Sequence, residues 1–408
     1  MDITPVFRKK VPDMSWLKSV MFKDVQKITD RFFGNSPPQI FIGSKLKYPQ
    51  VNVGILSPPE KVPEAWIYDA QSFWAEQNFD IQTIIDLRSS LINSRFQTRV
   101  DQARSTMQEK FLSLSQEIGM AKKPVDVEIA LKKKVQVKLD TDKITMPMGP
   151  RAQLKNVRIT ENTKVDARVE KAVADTDLKA NDAIRQLYKQ QFDEHTLSKI
   201  LSLGVLGLKK SRKLVPTRWS ITAVQDMLGK QAISEIKHYE RLDSHQLYFG
   251  GYLGNYFLVL LFPDVYSYEL FEMYLPGSAW NFSGKLEAAH DFEWYDGRKD
   301  YPTATAGGYF ANRLPILNRL KMLKKQASIL VLRFETPSYW ASLGVWVVLE
   351  SMKKTMQSIP TIFNSREEML SFAKQYIFDK LNFDISSLLH QSQLLQHVKT
   401  QLRLQEFM

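Results

Sequence analysis

The chain has 408 residues, 44% of them hydrophobic and 25% charged, with a formal net charge of +12. Those proportions exclude a disordered or fibrous chain, and the length allows two or three domains. Having no cysteine, the chain cannot form a disulfide framework, a thiolate zinc site or a cysteine nucleophile, while its positive excess points to polyanionic partners such as nucleic acid. The six histidines show neither H-E-x-x-H nor H-x-H spacing, so no zinc site is expected. No run reaches the ~18 apolar residues of a membrane span, and MDITPVFRKK lacks the apolar region of a signal peptide. The sequence therefore reads as a soluble, cytoplasmic protein with no membrane partner.

In chain order, Trp16, Val20, Val25, Ile28 and Phe32 have helical spacing, which predicts a helix from about Ser15 to Phe33, stopped by Gly34, Pro37 and Pro38. The segment IFIGSKLKYPQVNVGILSPP alternates between turn formers and predicts two short strands around Ser44 to Tyr48, with Gly43 and Gly54 close to another backbone or a ligand. A helical block is expected from about Ala70 to Gly119. Strict alternation on either side of Lys132, Lys133 and Lys134 predicts a hairpin over Val125–Leu131 and Val135–Leu139. From MPMGPRAQ to Asp177 the composition turns polar, which predicts a surface connection. Beyond it, helices are expected at about Lys179–Gln191, Ile221–Tyr239, Gly308–Gln326, Val345–Gln357 and Arg366–Leu381, and strands at Gln246–Leu253, Tyr256–Phe262 and Ser328–Glu335. The fold class is α+β, mixing helices with antiparallel strands. Three regions are expected: 1–120, 121–385 and a C-terminal helix with tail over 386–408.

Two interior constellations carry chemistry. Lys209, Lys210, Arg212, Lys213 and Arg218 crowd a proline just before a helix, next to Trp219, with Ser220 as the expected N-cap. Cations, an indole and a helix start are the parts of a phosphate- or base-binding corner. Further along, HDFEWYDGRKDYPTATAGGYFANR adds Arg298, Lys299 and Arg313, with Gly307 and Gly308 where backbone N–H groups could approach an anion. Asp291 and Glu293, two residues apart on one strand face, are the candidate catalytic pair and would hold a divalent metal, with Glu269 or Glu272 as further ligands. The alternative for all these groups is structural: arginines paired with neighbouring carboxylates.

The chain ends in QLRLQEFM. Gln401, Leu404 and Phe407 have the spacing Q-x-x-L-x-x-F, which resembles a peptide that docks on a DNA sliding clamp. One helical turn sets Leu404 and Phe407 side by side as an apolar plug completed by Met408, and Gln401 supplies amide hydrogen bonds one turn earlier.

Taken together, FIGSKLKYPQVNVGILSPP, MPMGPRAQLKNVRI, SLGVLGLKKSRKLVPTRWSITAV and GRKDYPTATAGGYFANRL resemble the Nre family of archaeal DNA repair proteins. The resemblance covers most of the chain in order. It implies a DNA damage repair factor working at the nucleoid and recruited by the sliding clamp PCNA through Gln401, Leu404 and Phe407. It implies no settled chemistry or cofactor. Some family members carry an N-terminal cysteine cluster suited to zinc, which this chain lacks, and its tail ends in Phe407-Met408 where paired aromatics are usual. Two other functions stay open on the residues alone: a metal-dependent nuclease built on Asp291 and Glu293, and a clamp adaptor that does not itself touch DNA.

Overall fold

The computed structural model describes residues 30–44, 47–107, 109–133, 135, 146–281 and 284–400, with side chains of the last stretch to 397. The first sheet is assembled from β1 (Arg31–Ser36), β2 (Ile40–Ile42), β3 (Gln50–Ser57), β4 (Ile92–Arg99), β5 (Val125–Leu131) and β6 (Arg151–Ile159). Its order is β1-β5-β6-β4-β3-β2, antiparallel except for a short parallel contact of β4 with β6. That contact covers only Asn93–Arg95 against Arg151–Gln153, after which the two strands part.

The helices are α1 (Gln71–Glu76), α2 (Ile81–Ser89), α3 (Lys110–Met120), α4 (Ala167–Ala174), α5 (Ala180–Lys189), α6 (Glu194–Ser202) and the long α7 (Thr217–Ile236). One face of the first sheet packs its Val53, Ile55, Val127 and Val157 on Leu112 and Ile118 of α3, Ile184 and Leu187 of α5, and Leu197 and Ile200 of α6. A second sheet collects β8 (His245–Tyr252), β9 (Asn255–Phe262), β10 (Ser267–Tyr274), β11 (Glu287–Glu293), β13 (Ser328–Glu335) and β14 (Thr361–Phe363) in the order β11-β10-β13-β9-β8-β14. The two-residue strands β7 (Glu240–Arg241) and β12 (Lys325–Gln326) pair separately. Helices α8 (Ala306–Leu323) and α9 (Trp346–Gln357) cover one face of the second sheet. Helices α10 (Arg366–Leu381), α11 (Ser386–Gln391) and α12 (Gln393–Thr400) cover the other.

Because both faces are covered, all eight residues of β13 are buried, and its sequence SILVLRFE lacks the polar alternation of a half-exposed strand. Helix α7, about 30 Å long by its residue count, reaches both cores. Its Val224 and Leu228 join the first core, and its Ala232, Ile233 and Ile236 join the second.

The fold is α+β, as expected, and Ser328–Glu335, Arg366–Leu381 and the other C-terminal helices fall within a few residues of their expected bounds. Several N-terminal expectations need correction. Residues 31–36 are strand β1, because Phe32, Gly34 and Ser36 alternate inward and pair with β5; the preceding stretch of the expected helix lies outside the described residues. The expected helical block contains strand β4, since pairing with β3 on one side and β6 on the other outweighs the local pattern. Strand β5 pairs with β1 and β6; of its expected hairpin partner Val135–Leu139, residues 136–139 lie outside the described residues. The polar stretch before Asp177 is not a loop: its alternating RAQLKNVRI forms β6, and α4 follows. The first sheet thus continues across residue 120, the edge of the first expected region.

Candidate nucleic-acid interface

The parting of β4 and β6 leaves a groove of about 730 Å3 on the first sheet. Alternation sets its chemistry. On β4, Phe96 turns to the core while Arg95 and Gln97 take the opposite face; on β6, Ala152 and Leu154 turn inward while Arg151, Gln153 and Lys155 take the opposite face. Lys132 and Lys133 enter from the turn after β5, so five cations line the groove against Glu109 as the acidic residue among the described residues.

Arg95 is the unusual group. Its Nε is buried with no hydrogen-bond partner. Burial first, and then the neighbouring Arg151, pull its pKa down to about 10, both acting against the charged form. Burial also lowers that of Arg151. Phe41, Gly54, Arg95 and Gln153 form one row across β2, β3, β4 and β6, and the guanidinium of Arg95 lies 6.0 Å from the Phe41 ring centroid. Gly54 has a steric reason within this row. A Cβ there would stand 1.9 Å from Oδ1 of Asn93, so the close neighbour is a side chain and not the backbone or ligand expected, and Gly43 has nothing nearer than 3.7 Å.

The patch from Lys209 to Trp219 is divided by the structure. Lys210, Lys213 and Trp219 are exposed, and Lys209 and Arg218 are half-buried. Arg212 is buried: its Nε donates to the Gly207 carbonyl at 2.9 Å and its Nη2 to that of Val173 at 2.7 Å, and burial lowers its pKa. Arg212 therefore ties the turn to α4 and presents no surface cation. Ser220 is not an N-cap. Helix α7 starts at Thr217 behind Pro216, and the Ser220 hydroxyl donates back to the Thr217 carbonyl at 2.9 Å. The patch is joined to the groove strand, since Leu214 N–H donates to the carbonyl of Val100, just past β4.

The candidate catalytic pair is enclosed. Asp291 accepts from Arg298 Nη1 at 2.7 Å and from the backbone N–H and hydroxyl of Thr305 at 2.8 and 2.9 Å. Glu293 accepts from Arg313 Nη1 at 2.8 and 2.9 Å, from the Arg298 N–H and from the Tyr266 hydroxyl. Arg313 also reaches Asp226 at 3.0 Å. Burial would lower the pKa of Arg313, but Glu293 together with Tyr266 and Tyr309 raises it. These carboxylates have their lone pairs filled by protein donors, and no group of three His, Asp or Glu suited to a metal occurs among the described residues. Lys299 is exposed beside them.

An anion does stand at the Gly307-Gly308 start of α8, but it belongs to the protein. A Cβ on Gly308 would lie 2.1 Å from Glu272 Oε1, whose carboxylate also receives Arg333 Nη1 at 2.7 Å and the Tyr274 hydroxyl at 2.9 Å. Glu269 has a similar internal task on the other sheet face. It accepts from the Ser392 hydroxyl and from the N–H groups of Gln393 and Leu394 at 2.8 and 3.1 Å, capping α12. Gln401, Leu404, Phe407 and Met408 lie outside the described residues, immediately past that helix.

Two family profiles match the chain: archaeal Nre, N-terminal, over residues 8–281, and archaeal Nre, C-terminal, over residues 293–407. The chain belongs to the archaeal Nre family. Among its relatives is a protein of Haloferax volcanii named DNA repair protein NreA, 37% identical over 80% of this chain and 79% of that protein. Two from Archaeoglobus fulgidus are named DNA repair proteins NreA and NreB. They are 38% and 35% identical, over 89% and 92% of this chain and 90% and 91% of their own lengths. No solved structure gives a significant match.

Within this Nre chain, Lys132 and Lys133 read from the sequence, with Lys134, as the basic turn or edge of a hairpin, and Arg95, Arg151 and Lys155 belong to no constellation. The available signal was the alternation of β4 and β6, whose polar residues share one face. It becomes a groove only through the pairing and parting of two strands some sixty residues apart. No helix among the described residues is long and apolar enough to cross a membrane.

Proposed function

We infer that this chain is a DNA repair factor that holds a DNA strand in the groove between β4 and β6 and is brought to its site by a sliding clamp that grips the C-terminal peptide. The observation that carries the reading is Arg95, a half-buried cation whose Nε is buried without a hydrogen-bond partner and which stands beside a second cation, Arg151. A phosphate in the groove would relieve both the burial and the Arg151 repulsion. The names of the relatives agree with it. Lys210, Lys213 and Trp219, joined to the end of β4, would extend the contact with two charges and an aromatic surface on which a base can stack.

The clamp contact rests on Gln401, Leu404, Phe407 and Met408. Its support is positional: α12 is fixed to the body by Glu269 and by buried Leu394 and Leu395, and Gln401 follows that anchored helix directly in the chain. Tethering would raise the effective DNA concentration seen by the groove without any new DNA contact.

The test compares the full chain with one ending at Thr400. Clamp binding should be lost with the tail, while binding to a labelled single-stranded oligonucleotide should persist and weaken steeply with salt, by about 0.7 in log–log slope for each phosphate held. Clamp affinity unaffected by the truncation would remove the recruitment reading. Absence of oligonucleotide binding at low salt would remove the DNA reading and leave the adaptor function.

A further inference from the structure

A second, smaller cavity of about 50 Å3 lies between the first sheet, α6, α7 and the start of α9. Its walls come from distant parts of the chain: Gln39 and Phe41, then Met146 and Met148, then Thr217, Ile221 and Gln225. Its charges are internally matched. Asp69 takes Arg88 Nη1 at 3.1 Å and Lys199, and Glu350 takes His195 Nε2 at 2.7 Å. Its amides are not. Gln39 and Gln225 are 4% and 2% exposed, and the Oε1 of each is buried without a hydrogen-bond partner. A buried acceptor left unmet carries a desolvation penalty, and two on one cavity mark a place where hydrogen-bond donors belong.

Charge balance argues against an anion here, and the flat or soft walls of Phe41, Trp346, Met146 and Met148 favour a planar, neutral ring. Phe41 also meets a residue of the groove, since the Arg95 guanidinium lies 6.0 Å from its ring centroid. We propose that this cavity receives the hydrogen-bonding edge of a nucleobase, with the Gln39 and Gln225 carbonyl oxygens accepting from its N–H groups. The proposal rests on the groove reading for its choice of a nucleobase among neutral rings. Phosphates in the groove and an unstacked base in the cavity would be parts of one strand, while a free nucleoside offers the same edge without the strand.

The test uses the full chain and two probes. One is a single-stranded oligonucleotide carrying one 2-aminopurine, whose fluorescence rises when the base leaves the stack. The other is the set of four free nucleosides, followed by equilibrium dialysis. The comparison variant is Gln39→Leu with Gln225→Leu, which removes two unmet oxygens and should leave the melting temperature unchanged or raise it.

The expected result is a fluorescence rise or nucleoside binding with the native chain, and its loss by tenfold or more in the variant, which still binds oligonucleotide through the groove. A signal from the oligonucleotide alone assigns the base to a strand; binding of nucleosides as well assigns it to the edge itself. A native chain that binds oligonucleotide yet gives neither signal overturns the proposal. So does a variant that keeps the signal, or one that melts lower because the amides hold the fold. If oligonucleotide affinity itself is absent, the groove reading falls, and the nucleoside measurement still decides the cavity.

Discussion

The arginines of the two sheets meet opposite circumstances. Around the second sheet, Arg313 of α8 is 2% exposed and touches two carboxylates, and Arg333 of β13 at 6% exposure touches Glu272 and Glu335 at 2.7 and 3.0 Å. In the first, Arg95 is more than half withdrawn from water beside another arginine, and what surrounds it acts to discharge it. A buried cation with its partner in the same chain is a structural element. One whose partner is missing waits for an anion from outside, and the comparison separates binding candidates from framework more surely than counting basic residues.

The strongest way to break the comparison is Arg313→Met. It would leave Glu293 buried with its main counter-charge gone, so a loss of about 3–5 kcal/mol of unfolding free energy is expected in denaturant titration. A loss below about 1 kcal/mol would mean that the network does not hold the second sheet together.

Next in size is a pH effect at the junction of α6 and α9. Burial would raise the pKa of Glu350, but Lys353 and His195 hold it down to about 2, against 4.5 in a flexible chain. As pH falls below 4.5 the unfolded chain takes up this proton before the folded one does. Stability from Glu350 is therefore complete above 4.5 and is lost as pH drops towards 2, by on the order of 3 kcal/mol. Glu350→Gln should flatten that part of the stability profile. An unchanged profile would show that the ion pair contributes nothing there.

Smallest in stability and most telling in function is Arg95→Gln with Arg151→Gln. Removing two opposed cations should leave stability within about 0.5 kcal/mol or raise it. The salt slope of oligonucleotide binding should fall by about 1.4 for a single strand. A large destabilisation would place these arginines in the same class as Arg313, and an unchanged slope would show that the groove holds no phosphate.

What was legible in the sequence was local. The apolar run of Ser328–Glu335 and the 3.6-residue pattern of Arg366–Leu381 stand out in the C-terminal half because each is a long element with unambiguous ends, and Ser365 caps the latter by accepting from the Glu368 N–H. Alternation also put Asp291 and Glu293 on one face of a strand, as it must. The sequence could not say that Arg298, Thr305 and Arg313 would fill that face, since those donors arrive from a loop and a helix. In Lys209–Arg218 the basic character was plain, but only packing against α4 turned Arg212 inward.

The sequence by itself determined the fold class, the positive excess, the exclusion of cysteine chemistry and the family. Each follows from composition, from the period of short segments, or from segments matched in order. Tertiary structure alone decided which charges are matched and which are not. An ion pair or a groove is a relation between residues far apart in the chain, such as Arg313 with Asp226 or Arg95 with Arg151, and it forms when strand pairing and helix packing bring their side chains within a few ångströms.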